Sequence, residues 1–159
     1  MSKRKRKHSA QENSKKALPV WWGLSGLGVI VVVGVLWGIF QFSSGSVIRQ
    51  VSAAEAHKLI REHRNDSDFI VLDVRTPEEF AQGHLPEKTP VNLDFYAPDF
   101  RERLAQLDRG KTYLVYCRTG NRSGETVNFM KELGFRRVYD LQGGILAWQS
   151  AGLPVKIEE

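Results

Sequence analysis

One cysteine, Cys117, is all that this chain of 159 residues carries. No disulfide can close within it, and cysteine usage leaves the redox compartment open. Histidine is almost as scarce: His8, His57, His63 and His84 are scattered along the chain and form no ligand cluster with Cys117, which argues against a metal site. There is no internal repeat, so a solenoid or propeller is not expected. Acid is nearly missing from residues 1–17, where Lys3, Arg4, Lys5, Arg6, Lys7, Lys15 and Lys16 face Glu12 alone. The remainder is close to neutral, so the pI of about 9.5 belongs to the tail. From Leu18 to Phe42 charge is absent altogether.

That uncharged stretch is long enough to cross a bilayer, which takes about 20 apolar residues. Trp21, Trp22 and Trp37 lie near its ends, where indole rings settle at the interface. It is longer than the usual signal-peptide core of about 7–15 residues, and no clean small-x-small site follows it. Cleavage within 42–46 is the competing reading. A basic tail abutting an apolar run points to membrane orientation rather than nucleic-acid binding. Because positive charge stays on the cytoplasmic side, the expected organisation is a tail (1–17) inside, a transmembrane signal anchor (18–42), a linker (43–46) and a periplasmic or extracellular domain.

Within that domain, strands and helices alternate. Val47 to Val51 reads as a strand, and Ser52 with Glu55 as a capping box for a helix to about Arg64, with Ala56, Leu59 and Ile60 inward. The continuous apolar run Phe69 to Val74 suits a strand buried on both faces of a parallel sheet. Thr76-Pro77-Glu78-Glu79 combines an N-cap, a first-position proline and an acidic first turn. A weak strand is expected at 91–93, a helix at 99–107, a strand at 113–116, a helix from Ser123 to Leu133 closed by Gly134, a strand at 137–141 and a last helix at 145–150. This alternation predicts an α/β domain, a parallel sheet with helices on both faces.

The run YLVYCRTGNRSGET, Tyr113 to Thr126, carries the chemistry. A strand delivers Cys117 into a loop of small, polar or cationic residues, Arg118, Thr119, Gly120, Asn121, Arg122 and Ser123. Thiols react as thiolates, and cations or a helix N-terminus favour that form. Backbone N–H groups of such a loop cradle anions. A lone cysteine is more often an inert core residue. Its place at the carboxyl end of a strand, with two arginines in the five residues that follow, reverses that expectation and puts a thiolate at the rim of an anion pocket.

Three separated segments, LDVRTPEEFAQGHLP at 72–86, YCRTGNRS at 116–123 and LQGGILAWQSAGLPV at 141–155, resemble a single-domain rhodanese, a sulfurtransferase module, over about residues 47–156. The resemblance implies a five-stranded parallel sheet and a catalytic Cys117 cycling between thiolate and persulfide. It implies that residues 118–122 ring the sulfur, that Arg122 closes the loop, and that Arg118 draws an anionic donor such as thiosulfate. The sulfur would pass to cyanide, a small thiol or a protein cysteine, with no cofactor, no metal and no nucleic acid. Asp73 and Arg75 match the family's Asp-x-Arg and are read foremost as a structural ion pair; His84 is read as a hydrogen-bonded structural residue. Gly143 and Gly144 are read as allowing close backbone approach, and Trp148 as core. The pattern departs from the family at Glu87-Lys88-Thr89-Pro90 and in the longer segment Asp94 to Asp99, a departure expected to reshape the pocket rim without touching the cysteine loop. Two other functions compete. One is a membrane-tethered sulfur-carrier or interaction module with little small-molecule turnover. The other is a phosphatase or arsenate reductase, whose cysteine–arginine loop in the related families is one residue longer.

Overall fold

A computed structural model of the chain describes residues 45–86 and 91–157. The expected tail, the membrane span 18–42, the first half of the linker and the segment 87–90 lie outside the described residues. Among the described residues no helix is long and apolar enough to cross a membrane.

In chain order the elements are β1 (Val47–Val51), α1 (Ala53–Glu62), β2 (Phe69–Asp73), α2 (Pro77–Ala81), β3 (Val91–Asn92), α3 (Phe100–Gln106), β4 (Thr112–Tyr116), α4 (Asn121–Glu132), β5 (Arg137–Leu141) and α5 (Gly144–Ser150). The five strands form one sheet in the order β1-β5-β4-β2-β3, and every pairing is parallel. This is the expected α/β sheet flanked by helices.

Two cores lie on its two faces, because successive strand side chains point to opposite sides. Phe69, Val71, Leu114 and Tyr116 meet Ala56 and Ile60 of α1 and Ile145 and Trp148 of α5. Leu72, Val74, Tyr113, Val115 and Cys117 meet Phe100 and Leu104 of α3 and Met130 of α4. The apolar run 69–74 therefore serves both layers, which is why it shows no polar alternation.

Local signals set the element ends. Ser52 and Glu55 form the expected capping box on α1. The helix stops at Glu62 rather than Arg64, since the chain turns there: Asp66 N–H donates to the His63 carbonyl at 2.9 Å, and the Asp66 carboxylate meets His63 Nδ1 at 3.0 Å. Thr76 and Glu79 likewise close a capping box on α2. A larger difference concerns α4, which begins at Asn121, not at Ser123. Gly120 sits at φ +102° and serves as its N-cap. That left-handed turn, cheap only for glycine, lets the chain enter the helix two residues sooner. Arg122 and Ser123 consequently belong to the first helical turn.

Candidate active site

Parallel strands end at one edge, and the two central ones place the site there. Asp73 of β2 lies beside Tyr116 of β4 in the sheet register, so the segments carrying Arg75 and Cys117 leave the sheet as neighbours. The turn after β5 delivers Gly143 and Gly144 to the same edge.

Cys117 is fully buried, at 0% exposure. This corrects its expected place at a rim: it forms the floor beneath its loop, because its side chain follows the Tyr113–Val115 face into the core. The Gly120 N–H points at its Sγ from 3.1 Å. The carbonyls of the loop turn the other way. Ile145 N–H donates to the Cys117 carbonyl at 2.9 Å, and Leu146 N–H to the Arg118 carbonyl at 3.2 Å. The first turn of α5 thus takes up these two oxygens, while the Gly120 amide faces the sulfur. Gly144 makes this possible. A Cβ there would lie 2.4 Å from the Cys117 carbonyl oxygen, and its φ is +59°. The close approach expected at Gly143 and Gly144 is therefore real, and the Gly120 Cβ position lies 3.4 Å from Gly143 N.

Above the sulfur stands the N-terminus of α4. Its first three amides, Asn121, Arg122 and Ser123, have no carbonyl one turn earlier to bond within the helix, and Gly120 supplies no side-chain cap. Amides so placed suit an anion, with the helix dipole in support. Ser123 is buried and looks away, donating to Asp140 Oδ1 at 2.7 Å. Asp140, a buried carboxylate on β5, also receives Gln50 Nε2 at 3.3 Å. It fixes the start of α4 on the sheet. The sequence reading missed this residue; its signal was an acid inside an apolar strand.

The two loop arginines are used differently. Arg118 is exposed, and among the described residues its guanidinium has no ion-pair partner. Arg122 turns towards α2, where Nη1 and Nη2 grip Glu79 Oε2 and Oε1 at 2.6 and 2.9 Å. Its guanidinium carbon lies 5.4 Å from the centre of the Tyr96 ring. The hydrogen bonds from Arg122 hold Glu79 down at about 2, from an ordinary 4.5, against the opposing cost of burial. The same bonds raise the pKa of Arg122. Glu79 is a second residue that sequence reasoning passed over, taken only as part of an acidic first turn. The longer segment 94–99 supplies Tyr96, so the departure from the expected pattern does reach the loop.

Asp73 and Arg75 form the expected buried pair. Arg75 Nη2 reaches Asp73 Oδ2 at 2.6 Å and Nε reaches the same oxygen at 2.9 Å. Its Nη2 also donates to the Gly83 carbonyl at 2.8 Å. Burial alone would lower the Arg75 pKa; hydrogen bonding to Asp73 and its charge raise it on balance. Burial, followed by the Asp73 charge, pushes the Tyr116 phenol far up, so it stays protonated. His84 is buried too. Its ring stacks on Phe80 at 4.4 Å, its Nδ1 meets the Leu85 carbonyl at 2.9 Å, and its backbone bridges to Lys156. All these contacts tie α2 to the core and the C-terminal strap. Beside the loop a cleft of about 250 Å³ is lined by Arg75, Glu79, Gln82, Arg118, Leu146 and Gln149 among others. Among the described residues no group of three or more His, Cys, Asp or Glu could hold a metal ion.

A parallel α/β sheet that presents one cysteine beneath a loop whose Gly120 amide faces the sulfur, at the carboxyl end of its central strand, defines a cysteine-loop α/β domain. Residues 52–151 match the family model described as the rhodanese-like domain, and the chain belongs to that family. It is 31% identical over 111 residues to a sulfurtransferase of Allochromatium vinosum, covering 69% of this chain and 98% of that one. It is 35% identical over 117 residues to thiosulfate sulfurtransferase 16, chloroplastic, of Arabidopsis thaliana, covering 67% of this chain and 91% of that one. Among solved structures it is similar to a rhodanese-related protein of Thermoplasma volcanium. That match has a TM-score of 0.58 and 34% identity, and covers 69% of this chain and 99% of the other. These relatives support a sulfurtransferase-type function.

Proposed function

We propose that the chain is a rhodanese-type sulfurtransferase that moves sulfane sulfur from a donor such as thiosulfate to a thiophilic acceptor through a persulfide on Cys117. The observation that carries this reading is the orientation of the loop. Its carbonyls are drawn off by α5, and the Gly120 amide aims at Sγ from 3.1 Å. The Cys117 thiolate attacks the outer sulfur of thiosulfate; the sulfur–sulfur bond of the donor breaks and sulfite leaves with the bonding pair. The amides of Asn121 to Ser123 and the α4 dipole stabilise the terminal sulfur anion of the persulfide. Cyanide, a small thiol or a protein cysteine then attacks that outer sulfur and regenerates the thiolate. Such covalent exchange runs as ping-pong kinetics. Arg118 draws the donor, while Asp73, Arg75 and His84 shape the walls.

Mass spectrometry of the protein after thiosulfate treatment tests this. One added sulfur atom is expected, absent in Cys117→Ser and removed by cyanide. A wild-type protein that never gains sulfur overturns the reading. Residues 18–42 are proposed as a single-pass anchor, with the basic tail cytoplasmic and the domain periplasmic or extracellular. The support is the uncharged run between the tail and the domain. Amine labelling in intact cells should spare Lys3, Lys5 and Lys7; labelling from outside would reverse the topology.

A further inference from the structure

We infer that Glu79 is a specificity-setting positioning residue, which withdraws Arg122 from the anion pocket and makes the site prefer donors of lower negative charge. The inference rests on the reading of Cys117 as the reacting thiol. Three supports fix Arg122 away from an incoming anion. The Glu79 carboxylate takes it fork to fork at 2.6 and 2.9 Å, a geometry that uses both terminal nitrogens. Glu79 is itself held, since its Oε2 also receives the Thr76 N–H at 3.1 Å. Tyr96, a residue 67% exposed, sets its ring against the guanidinium at 5.4 Å.

The charge left around the sulfur can be read group by group. Arg122 on α4 is cancelled by Glu79 on α2. Arg75, beyond β2, is cancelled by Asp73. Asp140 on β5 is buried, accepts hydrogen bonds from the neutral Ser123 and Gln50 that cancel no charge, and does not line the cleft beside the loop. Tyr96 is neutral. Arg118 is the guanidinium that remains unpaired among the described residues, and Glu79 lines the same cleft. A dianion entering there meets one net positive side chain where the loop sequence offers two.

Cys117 is the only thiol in the chain, so alkylation reads this charge directly and without any sulfur transfer. The experiment compares anionic iodoacetate with neutral iodoacetamide on the full chain, as a rate ratio internal to each variant. Glu79→Gln frees the Arg122 charge and should raise the ratio by roughly three- to tenfold. Arg122→Gln leaves Glu79 uncompensated and should lower it. The double variant E79Q/R122Q restores the net charge and should return the ratio to within about twofold of wild type. A ratio that is unchanged or lower in E79Q overturns the inference, as does a double variant no closer to wild type than the single ones. The same order is expected for kcat/KM of thiosulfate, a dianion, relative to benzenethiosulfonate, a monoanion with the same transferable sulfur. Absence of any persulfide in the wild type would sink the sulfur-transfer reading, while the alkylation ratio still decides the role of Glu79.

Discussion

Single residues around Cys117 act through space that is already full. Gly144 is the sharpest case, because both its backbone conformation and the 2.4 Å approach of its Cβ position to the Cys117 carbonyl forbid a side chain. Gly144→Ala should cost about 2–4 kcal/mol in urea unfolding and slow alkylation of Cys117, since the loop must shift to clear the methyl group. An alanine variant of wild-type stability would contradict that packing. Asp73→Ala strands a buried guanidinium and should cost about 3–5 kcal/mol. It also loosens the Gly83 carbonyl, which Arg75 holds at 2.8 Å. The residues that matter here were legible where a motif named them, as at Cys117, Asp73, Arg75 and Gly144. Glu79 and Asp140 were not, because an acid announces its charge in sequence but not its partner.

Elements begin and end where a cap or a turn tells them to. Ser52 closes a capping box at the start of α1, and Ser52→Ala should lower stability by about 1 kcal/mol with little effect on Cys117. The Glu79–Arg122 pair works between elements, joining α2 to the first turn of α4. Its pH dependence follows from the lowered pKa of Glu79. The folded carboxylate titrates near 2 and the unfolded one near 4.5. The pair therefore stabilises fully above pH 4.5 and loses its contribution as pH falls towards 2. The stability gap between wild type and Glu79→Gln should close over that window in acid denaturation; a constant gap would refute the pair's role. The start of α4 shows what local reading leaves out. Ser123 has the chemistry of an N-cap, yet it sits inside the helix, because the left-handed turn at Gly120 starts the helix two residues earlier, and its hydroxyl donates to Asp140 on a distant strand.

Across the molecule, β4, like β2 and β5, contributes to both cores. Leu114 and Tyr116 face α1 and α5, while Tyr113, Val115 and Cys117 face α3 and α4. Leu114→Ala should cost about 3 kcal/mol, whereas Leu146→Ala, at a position 43% exposed on α5, should change stability by less than about 0.5 kcal/mol. Denaturant curves read by tryptophan fluorescence and by circular dichroism should coincide for both, as expected of one cooperative domain. The amino-acid sequence alone determined the order of strands and helices and the parallel α/β class. It also determined the caps of α1 and α2 and the cysteine with its loop, because hydrophobic period, capping chemistry and motif spacing are local properties of the chain. Only the tertiary structure decided that Cys117 lies at the floor and that loop carbonyls are drawn off by α5. It alone paired Arg122 with Glu79 and Ser123 with Asp140. Those outcomes depend on which strand ends lie side by side, and no local pattern records the distance between groups that folding brings together.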